Sequence, residues 1–233
     1  MEFTINKGNK TALLFGASGL VGGFCLHLLL ESPVYDKVIC FGRKELPIQH
    51  EKLVQHIINF DELFAHEELI KGDDLFYCIG TTIKKAGSKT AFRKIDLEYP
   101  LEIAVAASLN DVGQLILVSS VGAEASSLIF YNHIKGELEK RIKQLKFWSI
   151  HIMQPSILLG ERKESRPLER IGMIVGQGLD KVIGNFLGKY KPVNAEDVAK
   201  AMIAAAQNLK EGIHIYPSDS IVQLGSGERK LIR

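Results

Sequence analysis

The sequence predicts one doubly wound α/β domain built on a parallel sheet of about seven strands. Short apolar runs rich in β-branched residues alternate with longer helical patterns, which is typical of a parallel sheet covered by helices on both faces. The chain has 233 residues, of which 46% are hydrophobic, and this suffices for one core. A single domain over 1–233 is therefore expected.

The order of the predicted elements supports this fold class. Seven runs are predicted as strands: Thr11–Phe15, Lys37–Phe41, Val54–Phe60, Asp74–Ile79, Gln114–Ser119, Ser149–Met153 and Gly212–Tyr216. Five patterns between them predict helices: Leu20–Leu30, Asp61–Ile70, Thr90–Leu109, Tyr131–Leu145 and Ala195–Asn208. Asn194 would cap the last helix. The glycine-rich stretch 160–191 breaks the alternation, so the substrate side is expected mainly in 155–192, at the carboxyl ends of the strands.

The composition limits where the protein is expected to work and what it contacts. A net charge of +2 with both signs interspersed argues against nucleic acid or an anionic membrane as a partner. The polar first ten residues lack the apolar core of a secretory signal, and three cysteines, an odd number, suit reduced thiols. A cytoplasmic protein is the resulting expectation. Seven scattered histidines have no metal-ligand spacing, so no metal is predicted.

A glycine-rich turn joins the first predicted strand to the first predicted helix. Its residues are Gly16, Ala17, Ser18, Gly19, Leu20, Val21 and Gly22. A backbone without Cβ atoms can approach a pyrophosphate closely, and the helix start supplies free N–H groups with a partial positive charge. The glycine spacing differs from the G-x-G-x-x-G fingerprint, but the position between strand and helix favours a dinucleotide site. A turn that only connects the two elements is the alternative.

The residues after the second predicted strand bear on the choice of cofactor. An acidic residue there would bind the ribose hydroxyls of NAD, whereas a basic residue would accommodate the 2′-phosphate of NADP. The strand is followed by Arg43 and Lys44, with the first acid at Glu45. Arg43 can meet a phosphate with a bidentate fork, and Lys44 adds a point charge. NADP(H) is therefore predicted over NAD(H), with a solvated basic turn as the alternative.

A tyrosine and a lysine stand four residues apart in the predicted helix Tyr131–Leu145. This spacing places Tyr131 and Lys135 on one helix face, one turn apart. An ammonium near a phenol favours the phenolate, which suits the phenol as a general acid or base. Upstream, a predicted strand ends in Ser119 and Ser120, and a hydroxyl at that edge could hold a substrate carbonyl. A surface pair with a buried ring is the alternative for the tyrosine and lysine.

Four segments together resemble the short-chain dehydrogenase/reductase superfamily, in its atypical short members. They are Gly-Ala-Ser-Gly-Leu-Val-Gly at 16–22, Val-Ser-Ser-Val-Gly-Ala at 118–123, Tyr-x-x-x-Lys at 131–135 and Gln-Pro-Ser-Ile-Leu-Leu-Gly at 154–160. More narrowly, Cys78–Thr82, Lys85–Gly87 and the run 131–139 look like the Tat-interacting-protein group of oxidoreductase-like proteins.

The resemblance implies a Rossmann-type sheet and roles for particular residues. Tyr131 would be the general acid or base, and Lys135 would bind the nicotinamide ribose and assist it. Ser120 would orient the substrate, with Ser119 as the neighbouring alternative. Further residues implied to lie along the dinucleotide are Gly80, Thr81, Asp61, Pro155, Ser156 and Ile157. The asparagine pattern of many members is replaced by Cys78–Thr82, so a structural asparagine has no evident counterpart.

Two functions follow from these residues. The first is hydride transfer between NADP(H) and a small carbonyl or alcohol, assisted by Tyr131, Lys135 and Ser120. The second is a regulatory or sensor protein that binds NADP(H) with little or no turnover, because the fold hosts many functions. A homodimer is left open, with Tyr131–Leu145 or the segment 171–188 as the surface that could pair two chains.

Overall fold

Parallel strands form the central sheet of the molecule, in a computed structural model that describes residues 9–160 and 190–226. The strands are β1 (Lys10–Phe15), β2 (Tyr35–Gly42), β3 (Leu53–Ile57), β4 (Asp74–Tyr77), β5 (Gln114–Val118), β6 (Ser149–Gln154), β7 (Leu158–Leu159), β8 (Val193–Asn194) and β9 (Gly212–Pro217). Strands β7 and β8 pair in parallel as a separate two-stranded sheet. The other seven form one parallel sheet.

Helices connect these strands. In the described ranges they are α1 (Leu20–Glu31), α2 (Ile83–Ala86), α3 (Lys89–Arg93), α4 (Tyr99–Leu109), α5 (Phe130–Ile142), α6 (Ala195–Gln207) and α7 (Ser218–Gly225). A 3₁₀ segment covers Phe60–Leu69, and a π-helical turn covers Lys94–Glu98.

The strand order of the main sheet is β3-β2-β1-β4-β5-β6-β9. Strands β2 and β3 are therefore added on one side of β1. The chain then crosses to the other side of β1, where β4, β5, β6 and β9 follow in order. In such a sheet the carboxyl ends of the two strands at the reversal flank a crevice, and this is where ligands bind. The prediction of a doubly wound parallel sheet with seven strands is confirmed.

Alternate residues of each central strand feed two apolar layers. In β1, Leu13 and Phe15 pack on the side of α4 and α5, whereas Ala12 and Leu14 pack on the side of α1 and α6. Side chains of a strand alternate between faces, so a strand that is buried on both sides must be apolar throughout. The uninterrupted apolar run of β1 is explained by this double burial.

Several predicted boundaries are corrected by the structure. Strand β3 ends at Ile57 rather than at residue 60, because Asn59 caps the next segment by accepting from the Asp61 N–H. That segment is a 3₁₀ helix with a kink at Glu62 instead of the predicted α-helix. The predicted helix Thr90–Leu109 is divided into α3, the π-helical turn and α4.

Other differences lie near the end of the chain. Asn194 is at the N-cap of α6, but its side chain donates to Asp197 (3.1 Å) and does not cap the helix. Helix α7 and the short strands β7 and β8 were not predicted. Most of the glycine-rich stretch 160–191 lies outside the described residues, so its predicted role as the substrate side stays a prediction. Among the described residues, no helix is long and apolar enough to cross a membrane.

Polar side chains are buried at the amino ends of the central strands, opposite the crevice. His151 is fully buried and hydrogen-bonds through Nδ1 to the Tyr216 hydroxyl (3.0 Å) and through Nε2 to Ser149 Oγ (3.0 Å). Gln114 links this cluster to Asp74, which accepts from its Nε2 at 2.8 Å. Burial, with a smaller effect from the charge of His214, lowers the pKa of His151 to about 4.

We expect the pKa of His151 to make the protein less stable in mild acid. In the unfolded chain the imidazole takes its proton near pH 6.5, whereas in the folded protein it stays neutral down to about pH 4. Stability due to this group is therefore full above pH 6.5 and is lost between pH 6.5 and pH 4, by about 3 kcal/mol. Urea unfolding at pH 7.0 and pH 4.5 measures the loss.

His151→Gln should show a smaller loss of stability between these two pH values than the unsubstituted protein. His50→Gln, which changes an exposed histidine, serves as the control and should retain the full loss. Equal losses in all three proteins would contradict the assignment to His151.

Candidate active site

A cleft of about 670 Å³ opens at the carboxyl ends of β1 and β4. One wall is the turn after β1, with Ser18, Gly19, Leu20 and Val21. The floor is the segment after β4, with Cys78, Ile79, Gly80 and Thr81. The far wall carries Asp96, Val118, Ser119, Tyr131 and Lys135. The structure thus brings the glycine turn, the tyrosine and the lysine together in one cavity.

Two of the three glycines in the turn are needed for packing within the protein. Gly16 has a φ of +93°, and a Cβ there would lie 2.7 Å from the backbone carbon of Cys78. A Cβ on Gly22 would lie 2.0 Å from the Gly16 oxygen. These distances exclude a side chain, because real Cβ atoms essentially never approach so closely. The turn is consequently held tightly against the end of β4.

The third glycine is at the start of helix α1. Gly19 is the N-cap residue, and no side chain caps the helix there. No acidic residue lies in the first turn either. The helix therefore presents its first N–H groups and the positive end of its dipole to the cleft, which is the arrangement that binds a phosphate.

Tyr131 and Lys135 lie one turn apart on α5, as the spacing predicts. The Tyr131 ring packs against Phe92, with 5.5 Å between ring centroids. Lys135 is buried, and its Nζ lies 2.7 Å from Asp96 Oδ1. Burial has the largest single effect and lowers the pKa of Lys135, but the charge and hydrogen bond of Asp96, with the neighbouring Tyr131 and Glu139, together outweigh it and raise the pKa above its usual value. Lys135 is therefore an ammonium at neutral pH.

Asp96 was missed by the sequence analysis. It is 1% exposed, it lines the cleft, and it also accepts the Thr81 N–H at 3.0 Å. It lies in the π-helical turn Lys94–Glu98, and π-turns inside helices occur often at functional sites. The available signal was an acid between two apolar residues, Ile95 and Leu97. Asp96 is thus the charged neighbour of Lys135 in the cleft.

The two serines after β5 have different surroundings. Ser119 is buried, lines the cleft and donates to Glu139 Oε1 at 2.6 Å. Glu139 in turn accepts from Gln154 and Lys143. Ser120 is not part of the cleft wall, and its hydroxyl is 3.3 Å from the Val121 oxygen. The geometry brings Ser119 rather than Ser120 to the cavity, and the substrate-orienting role of Ser120 stays a prediction.

A glycine in α5 allows the loop after Ser120 to pack on that helix. A Cβ on Gly136 would lie 2.2 Å from the backbone of Glu124 and Ala125. The same loop is held by the Glu124 N–H, which donates to the Asn132 oxygen, and by His133 Nδ1 at 2.6 Å from the Ala125 oxygen. Gly136 therefore fixes the distance between the serine end of β5 and the tyrosine helix.

The remaining predicted residues divide into two groups. Gly80 and Thr81 line the cleft. Arg43, Lys44, Asp61, Pro155 and Ile157 lie outside its wall. Arg43 and Lys44 are exposed directly after β2, beside the end of β1. Asp61 is engaged by Tyr99 and by Lys94 (2.8 Å), and the hydrogen bonds with Lys94 and then Tyr99 lower its pKa.

Pro155 and Ile157 follow β6, close in sequence to Leu158, which does line the cleft. The Pro155 oxygen accepts the Val121 N–H (3.0 Å), and the Ile157 oxygen accepts the Val193 N–H (2.8 Å). Within 9–160 and 190–226, no three His, Cys, Asp or Glu side chains come together as metal ligands would.

Solved structures with the same fold include proteins in complex with NAD. MoeE5 in complex with UDP-glucose and NAD has a TM-score of 0.66 and 15% identity, over 93% of this chain and 81% of that one. The enzyme WbmG of Bordetella bronchiseptica in complex with NAD has a TM-score of 0.67 and 12% identity, over 96% and 78%. These structures share the doubly wound, Rossmann-type fold of this chain.

Curated relatives are more similar in sequence. Protein HTATIP2 of Rattus norvegicus is 35% identical over 165 residues, which are 69% of this chain and 68% of that protein. Protein FMP52 of Candida albicans is 33% identical over 93% of this chain and 98% of its own length. The chain belongs to the HTATIP2/FMP52 family. This confirms the resemblance to the Tat-interacting-protein group, although no family model matches the chain.

The prediction of a cytoplasmic location is wrong, because fungal relatives of this chain are named mitochondrial. They include FMP52 of Candida albicans and of Saccharomyces cerevisiae, the latter 30% identical over 94% of this chain and 98% of its own length. The prediction rested on the lack of an apolar secretory signal. Mitochondrial targeting segments are amphipathic and rich in arginine and serine, so that argument did not bear on them.

Gly136→Ala should destabilise the protein by about 1–3 kcal/mol, the usual cost of overpacking. The added methyl would lie 2.2 Å from the backbone of Glu124 and Ala125, and the loop must move away. Gly23→Ala is the matched control, since its methyl would lie 3.6 Å from the nearest atom, in ordinary contact. Urea unfolding compares the two, and equal stabilities would show that the loop does not pack on α5 in this way.

Proposed function

We propose that the protein is an NADP(H)-dependent oxidoreductase that interconverts a small carbonyl compound and its alcohol. The observation that carries this proposal is the cleft itself, which joins an uncapped helix start to Tyr131 and Lys135. A phosphate-binding end and a proton-transferring end in one cavity are what such a reaction requires. The proposed substrate is a small molecule rather than a nucleic acid or a membrane.

The residues of the cleft fit a dinucleotide. A volume of about 670 Å³ lies in the range of cofactor and ligand cavities. The helix start at Gly19–Val21 would hold the pyrophosphate, and the floor at Gly80 and Thr81 would lie along the nucleotide. The exposed Arg43 and Lys44 after β2 would meet the 2′-phosphate that distinguishes NADP from NAD. When bound, the cofactor supplies the hydride.

The polar groups of the far wall would carry out the proton transfer. The Tyr131 hydroxyl would donate its proton to the substrate oxygen during reduction and take it back during oxidation. The Lys135 ammonium, one turn away on α5, would donate to the cofactor ribose. Ser119 donates its own proton to Glu139, so its oxygen would act as an acceptor in the cleft.

A second candidate is a protein that binds NADP(H) to regulate a partner. The observation in its favour is that two polar groups of the site already have internal partners. Lys135 is paired with Asp96, and the Ser119 hydroxyl is bonded to Glu139. Groups that are satisfied within the protein are less available to a substrate. A protein that binds the cofactor without turnover would be expected to have its polar groups paired in this way.

Tyr131→Phe should separate the two functions. It removes only the hydroxyl, so turnover should fall at least about a hundredfold, the usual scale of general acid–base catalysis, while NADPH affinity changes less than about threefold. The assay is NADPH oxidation with a panel of small aldehydes, ketones and quinones, and binding is measured by calorimetry. Tyr216→Phe, which removes a hydroxyl on the edge strand β9 outside the cleft wall, is the control.

Absence of carbonyl-dependent oxidation in the unsubstituted protein, together with tight NADPH binding, would favour the regulatory function. Unchanged turnover in Tyr131→Phe would exclude Tyr131 as the proton donor.

Arg43→Ala should weaken NADPH binding about tenfold or more, because a charge-assisted contact to the 2′-phosphate is lost. NADH lacks this phosphate, so its affinity should stay within about twofold. Paired titrations of nicotinamide fluorescence measure both. Arg141→Ala, on the distal part of α5, controls for the loss of an exposed arginine. An equal loss for NADPH and NADH would contradict the preference for NADP(H).

A further inference from the structure

The Asp96–Lys135 pair leaves one wall of the cleft with opposite charges that cancel. Both side chains are almost fully buried, both line the cleft, and Nζ lies 2.7 Å from Oδ1. A buried ammonium without a counter-ion would place one uncompensated positive charge on this wall. Charges act strongly there, because a partly buried site is screened much less than an exposed surface.

The pair lies next to Gly80 on the floor of the cleft. An ideal Cβ on Gly80 would lie 3.6 Å from Asp96 Oδ1 and 3.8 Å from Lys135 Nζ. The place that a side chain would take at Gly80 is therefore directly beside both charged atoms, which are themselves almost fully buried. A side chain at this position would stand between the ion pair and a molecule bound in the cavity.

Asp96 is also held in one position. Its second oxygen, Oδ2, accepts the Thr81 N–H at 3.0 Å. The carboxylate consequently connects the floor of the cleft to helix α5 through Lys135. The other buried acid of this region, Glu139, does not line the cleft, and its oxygens are bonded to Ser119, Gln154 and Lys143. Asp96 is thus the carboxylate placed to balance Lys135.

We propose that Asp96 sets the relative affinity of the cleft for the oxidised and the reduced nicotinamide cofactor. This rests on the proposed function, because it requires a nicotinamide dinucleotide in the cavity. The oxidised ring carries one positive charge and the reduced ring carries none, so the charge of the wall acts on the oxidised form. With Asp96 the wall is neutral and accepts both forms, whereas without Asp96 the Lys135 ammonium repels the oxidised ring.

The test is the ratio of dissociation constants, Kd(NADP⁺)/Kd(NADPH), measured by calorimetry. In Asp96→Asn the ratio should rise on the order of tenfold, the scale for one unit charge acting across several ångströms of protein. For a two-electron couple this equals a change of about 30 mV in the potential of the bound cofactor. The amide keeps the size of the carboxylate and can still accept the Thr81 N–H.

Two further variants test the sign of the effect and its origin in charge. Lys135→Gln leaves the Asp96 carboxylate without its counter-ion. The wall then carries a negative charge that attracts the oxidised ring, so the ratio should fall below that of the unsubstituted protein. The double variant Asp96→Asn/Lys135→Gln is neutral again and should return to within about threefold of the original ratio. Because an unpaired buried charge tends to neutralise, Asp96→Asn is measured at pH 6 and Lys135→Gln at pH 8, each beside the unsubstituted protein.

Glu139→Gln is the matched control, since it removes a buried carboxylate outside the cleft wall and should change the ratio less than about twofold. An unchanged ratio in folded Asp96→Asn, or the same shift in Glu139→Gln, would overturn the proposal and leave the proposed function standing. If Asp96→Asn does not fold, a rise rather than a fall in Lys135→Gln overturns it. If the unsubstituted protein binds neither form, the proposed function fails and the inference falls with it.

Discussion

The close approach of the turn after β1 to the end of β4 is the constraint on which the site depends. Neither Gly16 nor Gly22 has room for a Cβ, and their contacts fix where helix α1 begins. The strand order reverses at the same place, so the helix start points into the crevice that the reversal creates. A side chain at either position would separate the phosphate-binding end from the rest of the cleft.

Helix α5 positions the opposite wall, because it contacts the cleft, Ser119 and the loop after β5. Tyr131 and Lys135 face the cleft, Glu139 bonds to Ser119 behind it, and Gly136 allows the loop after β5 to come close. Residues four apart share one helix face, so the column from Tyr131 to Glu139 runs from the cavity into the interior. The position of Ser119 is therefore tied to the helix that holds the tyrosine.

Sequence periodicity was sufficient for the sheet but not for the regions where helices deviate from regular geometry. The apolar strands and the glycine turn were predicted because their patterns are local. The interval Thr90–Leu109 was predicted as one helix, since its composition gives no sign of a π-turn. That turn is what brings Asp96 to Lys135, and so the missed irregularity and the missed residue have the same cause.

The sequence by itself determined the fold class, the glycine turn, and the tyrosine and lysine on one helix face, because each follows from chain-local sterics or helical spacing. Only the tertiary structure decided that Ser119 rather than Ser120 reaches the cleft and that Asp96 is the partner of Lys135. Both depend on how far apart separate elements lie when they pack. Such distances are set by contacts between residues remote in the chain, such as Gly136 against Ala125, and no local pattern encodes them.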